Sequence, residues 1–279
     1  MSFLLIPLVA AAAYALGSLS SAIIVSRWFG MDDPRTYGSG NPGASNMLRS
    51  GRKDAAAYTL AGDALKGLLA VWIAYAFRAM FDSVGDGIVA VAAIAVVLGH
   101  MYPMFFEFKG GKGVATALGV ILGMSFWTTL FALAIWLTIA FKYKKSSLAA
   151  LVAAACAPFL FFIIEPHHPK MGWALMLIAV LVLYRHKDNI KRLREGKELL
   201  IGETAKPLAD NGQNEQAAAE NAEVAAKADE TVAATPAETA VTENADAAAS
   251  ETAAEATAQN AEAAVEAANT DNKPAEKQS

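Results

Sequence analysis

The chain has 279 residues, of which 55 % are hydrophobic and 18 % charged, an apolar share above that of ordinary soluble domains. Its formal net charge of −4 hides two unlike parts: residues 203–279 carry sixteen Asp or Glu against four Lys, a net of minus twelve, which leaves plus eight on the first 202. Nothing in that balance points to a nucleic-acid partner, and the single cysteine, Cys156, excludes an intramolecular disulfide.

Apolar stretches cover 3–25, 67–81, 87–106, 114–141, 147–164 and 171–184. Several reach the roughly 20 residues that a helix needs to cross a hydrocarbon core of about 30 Å, so the expected class is an all-α integral membrane protein. The first stretch begins M-S-F-L-L with no basic residue before it and runs past twenty residues, as a retained span does and a cleaved signal peptide does not. Small residues recur within it, as in A-A-A-Y-A-L-G-S-L-S-S-A from Ala11 to Ala22, and let helix backbones approach closely in lipid.

Directly after the first span comes Y-G-S-G-N-P-G-A-S-N-M-L-R, residues 37–49. Gly38, Gly40 and Gly43 can take positive φ at low steric cost. Ser39, Asn41, Ser45 and Asn46 add hydrogen-bonding groups, and Arg49 offers a planar fork that matches phosphate. A plain turn built on N-P-G is the alternative for this loop. Asp63 and Lys66 follow in G-D-A-L-K-G at the entrance of span two, either as a local ion pair or as a catalytic aspartate with its partner.

Span three ends in G-H-M-Y-P-M-F-F-E-F-K-G-G-K-G-V-A-T, Gly99 to Thr116. Lys109 and Lys112 stand among Gly110, Gly111 and Gly113, ahead of a helix start, which is again a phosphate-sized cradle. The full G-x-x-x-x-G-K-[ST] spacing is missing, which disfavours a nucleotide. His100, an ionisable group among apolar neighbours, is either functional or a hydrogen-bonded structural histidine. His167 and His168, in the turn E-P-H-H-P-K, are expected to be solvent-exposed loop residues. His186 and Asn189 share a helical face, at i and i+3, where the last span leaves the bilayer.

Orientation follows from Lys and Arg, which are enriched in cytoplasmic loops. Arg27, Arg35, Arg49, Arg52, Lys53, Lys109, Lys112 and the basic run after Tyr184 mark one side; the other holds little beyond Arg78 and Lys170. That asymmetry puts the N-terminus outside and the C-terminus inside, which needs an odd number of crossings. The 28-residue run 114–141 lies between Lys112 and the cluster Lys142, Lys144 and Lys145, and splitting it near Gly123 to Ser125 keeps both basic ends on one side. The expectation is therefore a seven-helix transmembrane bundle with two short helices within 114–141. Residues 1–202 form the membrane domain. Residues 203–279, rich in Ala, Glu, Thr, Asn and Gln, are expected to be a disordered acidic tail, because they have too little apolar surface to fold alone.

The segments G-S-G-N-P-G-A-S-N-M-L-R, G-H-M-Y-P-M-F-F-E-F-K-G-G-K-G-V-A-T and R-H-K-D-N-I-K-R-L-R-E-G-K-E, together with G-D-A-L-K-G, resemble the motifs of the bacterial acyl-phosphate:glycerol-3-phosphate acyltransferases, the PlsY family. The resemblance covers residues 1–202 and leaves out the acidic tail; its one small departure is Ser45, where the family usually has threonine. It implies an inner-membrane enzyme with its active site on the cytoplasmic face. Such an enzyme passes a fatty acyl group from acyl phosphate to glycerol 3-phosphate, needs no cofactor and no obligate protein partner, and meets membrane lipid. It also implies that Ser39, Arg49, His186 and Asn189 grip glycerol 3-phosphate. Lys112 with Gly110, Gly111 and Gly113, and the 40–45 loop, would hold the acyl-phosphate head, with Ser147 adding a contact. No H-x-x-x-x-D pair of thioester-using acyltransferases occurs, no metal-ligand constellation is visible, and Cys156 lies in a span, which speaks against an acyl-sulfur intermediate. A transporter is the rival class, although transporters place ionisable groups near the midplane rather than at one face. A scaffold organised by the tail is a third reading.

Overall fold

The computed structural model describes residues 2–81 and 84–203. The expected acidic tail, apart from Glu203, lies outside the described residues. Among those described, every regular element is helical: α1 (Ser2–Gly17), α2 (Ser21–Trp28), α3 (Ala44–Arg49), α4 (Lys53–Met80), α5 (Gly85–Met101), α6 (Val114–Met124), α7 (Phe126–Tyr143), α8 (Ser146–Ile164), α9 (Pro169–Arg185) and α10 (Lys187–Arg194).

The distribution of side chains is that of a body surrounded by lipid. The interior is built of Ala, Val and a few larger residues such as Ile88, Met101, Phe161 and Met171, while Leu8, Trp72, Phe131, Phe159, Ile163 and Val180 point outward. Leu4–Trp28, α4, α7 and α8 are long and apolar enough to cross a bilayer, and α5 and α6 are shorter apolar helices. At the centre stands α5, packed against α1, α4, α6 and α9. The small residues that the sequence places in the spans serve close helix contacts. A Cβ on Gly17 would come within 2.1 Å of the Val96 carbonyl oxygen, one on Gly99 within 2.2 Å of that of Tyr14, and one on Gly119 within 1.9 Å of that of Ala64.

Three elements differ from the expectation. The first span is not continuous: α1 stops at Gly17 and α2 starts at Ser21. The break is held by polar groups, since Ser18 Oγ donates to the Tyr14 carbonyl at 2.8 Å and Lys66 Nζ donates to the Leu19 carbonyl at 2.7 Å. The second span begins fourteen residues before its apolar run, at Lys53, because the polar residues along α4 face the protein rather than lipid: Asp63 and Lys66 are 2 % and 4 % exposed. The run 114–141 does break, at Ser125, whose extended backbone (φ −156°, ψ 114°) and Oγ, accepting from Thr128 N–H at 3.3 Å, cap α7. Only α6 is short, with 11 residues; α7 has 18, because it continues through Lys142 and Tyr143.

At the end of the bundle away from the glycine-rich loops, Asp86 lies 3.0 Å from Arg78 and 2.8 Å from His168, tying α4, α5 and the start of α9. His167 is exposed as expected, whereas His168 is half-buried by this contact.

Lys66 offers a direct test of the broken span. Lys66→Met leaves Asp63 without its counter-ion and the Leu19 carbonyl without a donor, and is expected to cost about 3–5 kcal/mol. Thermal unfolding in detergent should show that loss, and the double variant Asp63→Leu/Lys66→Met should recover part of it.

Candidate active site

The glycine-rich loop between α2 and α3 is shaped by its own residues. Gly38 and Gly40 take positive φ, at 61° and 64°. Gly43 does not; it is extended (φ −164°, ψ 163°) and caps α3. Asn46 acts as the internal staple of the loop. Its Oδ1 accepts from Ser39 N–H at 2.9 Å and from Ser39 Oγ at 3.2 Å, and its Nδ2 donates to the carbonyls of Pro34 and Tyr37 at 2.7 and 3.1 Å. These bonds occupy the Asn46 amide and hold Ser39 in place.

The second loop folds back over the end of α5. Gly111 N–H donates to the His100 carbonyl at 3.1 Å. A Cβ on Gly110 would lie 2.1 Å from that carbonyl oxygen, and one on Gly111 would lie 2.1 Å from His100 Nε2. These two glycines therefore allow the loop to lie on the histidine. Arg185 fixes it from the other side, donating from Nη2 to the carbonyls of Gly110 (2.7 Å) and Gly111 (3.1 Å) while its guanidinium sits 5.2 Å above the Tyr102 ring. Gly113, in the left-handed region at φ 85°, then starts α6. Glu107 and Phe108 also have positive φ, 56° and 58°, a strained turn for residues with side chains.

Beneath these loops lies a cavity of about 240 Å³ that gathers most of the expected residues. Ser39, Asn41, Gly43, Ser45, Asn46, Arg49, His100, Lys112, Gly113, Ser147, His186 and Asn189 all line it. Gly40, Lys109 and Gly110 border a neighbouring cavity instead; Gly38 and Gly111 border neither. Lys109 is largely exposed and pairs with Glu107 at 2.9 Å.

The polar end of the main cavity is rich in fixed donors. Arg49 is 6 % exposed, makes no ion pair among the described residues, and its Nε is buried with no hydrogen-bond partner. Burial lowers its pKa from the usual arginine value, and the group stays cationic. Ser147, on α8, is buried on the same wall, near the Glu198 carboxylate. Lys112 Nζ donates to Asn189 Oδ1, and Asn189 Nδ2 donates to Glu198 Oε1 at 2.6 Å. Burial and the nearby Arg192 push the Lys112 ammonium down to about 8, with Glu198 opposing them. Burial also lowers His186, to about 4, so its imidazole is neutral at pH 7. His186 Nδ1 lies 2.7 Å from the Val182 carbonyl, an acceptor, which places the proton on Nδ1 and leaves Nε2 as an acceptor.

Two features of the site were not legible in the sequence, and a third, Asp63, was left open there between an ion pair and a catalytic aspartate. Glu198 closes the motif R-H-K-D-N-I-K-R-L-R-E-G-K-E without being assigned a role there, yet it is 6 % exposed and lines the cavity, joined to Asn189 and, at 2.9 Å, to Arg192 Nε. Burial opposes its charge, but the surrounding donors outweigh burial and keep its pKa below the usual glutamate range. Asp63 reaches the cavity wall, with Oδ1 2.8 Å from Lys66 Nζ and 3.4 Å from His100 Nδ1. The apolar half of the cavity is a slot bounded by Leu118 and Ile121 of α6, Leu133 and Trp136 of α7, and Ala150 and Ala154 of α8. Its only sequence signal is the helical spacing of alanines 150, 153, 154 and 157.

The fold and its lipid-facing surface define a multi-pass integral membrane protein. Within that class the chain belongs to the glycerol-3-phosphate acyltransferase family, whose model its residues 7–196 match, and in particular to the PlsY group. It is 57 % identical over 194 residues to a glycerol-3-phosphate acyltransferase of Neisseria meningitidis serogroup C (strain 053442), an alignment covering 69 % of this chain and 95 % of that one. It is 52 % identical over 198 residues to that of Ralstonia nicotianae, covering 71 % and 95 %. Its structure resembles that of PlsY (YgiH), an integral membrane glycerol 3-phosphate acyltransferase, in its glycerol 3-phosphate form. The TM-score is 0.65 at 36 % identity, over 71 % of this chain and 96 % of the other.

A measurable consequence concerns Lys112. A lysine that titrates near 8 loses its charge above that pH, so kcat/KM, which reports the free enzyme, is expected to fall on the alkaline side with an apparent pKa of about 8. In Lys112→Arg the same limb should move above pH 10, whatever the change in the plateau.

Proposed function

We propose that the protein transfers a fatty acyl group from acyl phosphate to the 1-hydroxyl of glycerol 3-phosphate, giving lysophosphatidic acid and inorganic phosphate. The observation that carries this reading is the two-part cavity. Arg49 holds a buried donor with no partner among the described residues at one end, as an anion requires, and a slot between α6, α7 and α8 leads away from it, as an acyl chain requires. In this reading Ser39, Arg49, His186 and Asn189 surround the acceptor, while Lys112, the turn at Gly113 and Ser147 face the phosphate of the donor.

Acyl phosphate is a mixed anhydride with a stable leaving group, so the main tasks are alignment and charge stabilisation. The acceptor hydroxyl oxygen attacks the acyl carbon, the bond from that carbon to the phosphate oxygen breaks, and phosphate departs with the bonding electrons. A pKa near 4 makes His186 Nε2 an orienting acceptor for the hydroxyl rather than a strong base, and the departing phosphate takes the proton. Lys112 and Arg49 stay charged through the step at pH 7 and stabilise the developing negative charge. The membrane placement that fits is seven crossings, α1, α4, α5, α6, α7, α8 and α9, in the bacterial inner membrane, with the loops of the site on the cytoplasmic side.

The donor decides the proposal. Detergent-purified protein supplied with glycerol 3-phosphate is expected to form lysophosphatidic acid from acyl phosphate and not from acyl-CoA or an acyl carrier protein thioester. Equal or better use of a thioester would remove the acyl-phosphate assignment. The region of family likeness ends at residue 196. A chain truncated after Glu203 is accordingly expected to keep its kcat and KM within twofold of the full-length values, whereas a scaffold built on the tail would lose its function.

A further inference from the structure

Beside the reaction cavity lies a second one, of about 580 Å³, open at the surface. Its walls carry Arg35, Lys109, Lys112, Arg185, Lys187 and Arg192 against a single carboxylate, Asp188. Three of these cations are answered elsewhere: Arg35 by Asp33 at 2.7 Å, Lys109 by Glu107 at 2.9 Å and Arg192 by Glu198 at 2.9 Å. Arg185 and Lys187 make no ion pair among the described residues. Arg185 is anchored by the carbonyls of Gly110 and Gly111, and Lys187 Nζ rests 5.8 Å from the Tyr184 ring. The carbonyl bonds leave the guanidinium charge unneutralised, so this cavity has a positive field that its own carboxylates do not cancel. It also shares three wall residues, Ser39, Asn41 and Lys112, with the reaction cavity.

We propose that this second cavity is a phosphate-dianion vestibule. It collects water-soluble phosphate species at the bundle surface and passes them across the Ser39–Asn41–Lys112 wall, separately from the apolar slot that admits the acyl chain. The proposal rests on the acyltransferase reading for the identity of the traffic, with glycerol 3-phosphate inward and inorganic phosphate outward. Lys112 belongs to both spaces, so a dianion drawn to Arg185 and Lys187 meets at the inner wall the cation that serves the reaction. Concave sites of one sign focus field lines and raise local counter-ion concentration, an effect that salt suppresses.

Lys187 and Asp188 are both exposed, side by side in the first turn of α10, and neither contacts the reaction cavity. Lys187→Glu and Asp188→Asn therefore change the field in opposite directions without burial cost. In uncharged detergent, Lys187→Glu is expected to raise KM for glycerol 3-phosphate roughly fivefold with kcat within twofold of the parent, to weaken product inhibition by inorganic phosphate to a similar degree, and to flatten the rise of KM with salt. Asp188→Asn should lower both constants. A shift in the glycerol 3-phosphate KM without a shift in phosphate inhibition confines the vestibule to entry and overturns the two-way traffic. Unmoved constants in an active enzyme overturn the vestibule itself, and an effect seen only in anionic vesicles assigns the patch to lipid headgroups and also overturns it. Line broadening of inorganic phosphate in phosphorus NMR gives a readout that needs no turnover. If the parent protein transfers no acyl group, the function reading fails, and the vestibule still stands or falls on whether Lys187→Glu weakens that broadening.

Discussion

The arrangement depends on a buried charge cluster that crosses three parts of the chain. Asp63 and Lys66 on α4 lie within 2.8 Å of each other, His100 on α5 approaches the same carboxylate oxygen at 3.4 Å, and Lys66 reaches the carbonyl left free where α1 breaks from α2. In lipid an unsatisfied carbonyl costs several kcal/mol, so irregular backbone at this depth survives only where protein groups satisfy it. The break turns α2 away and delivers the first glycine-rich loop over the end of the bundle. His100, held by the same cluster, carries the second loop on its backbone carbonyl and against its ring. One set of charges thus locates both loops that frame the cavity.

The cavity joins a polar and an apolar part. Its donors come from loops and helix ends, and its slot runs between α6, α7 and α8, lined by alanines and larger apolar side chains. The break at Ser125 lets α6 and α7 separate as individual helices, and the alanines of α8 keep its inner face low enough to leave space between them. Small residues therefore serve opposite ends: in α1, α4, α5 and α6 they close helix contacts, and in α8 they keep a gap open.

The charges at the site are incompletely matched. Glu198 neutralises Arg192 and orients Asn189, so that the Asn189 amide passes the orientation on to Lys112. Arg49 receives no such partner among the described residues. An unpaired buried cation is costly in the empty protein, and under the proposed function an incoming anion removes that cost.

The amino-acid sequence by itself determined what depends on composition and short-range pattern: the apolar runs, the asymmetry of Lys and Arg, the turn chemistry of the two glycine-rich loops, and the break near Ser125 within one long apolar run. Family membership was also legible, because the motifs are contiguous. The tertiary structure alone decided matters that turn on distance between remote residues. Asn46 proved to staple its own loop, and Gly110 and Gly111 to make room for His100. Glu198 reached Asn189, and α4 extended its helix back to Lys53 because Asp63 and Lys66 find partners in each other, in His100 of α5 and in the Leu19 carbonyl. Local pattern records the conformation a segment prefers and the face it buries, but a buried polar residue is stable only through the group opposite it, and that group is chosen by how the helices pack.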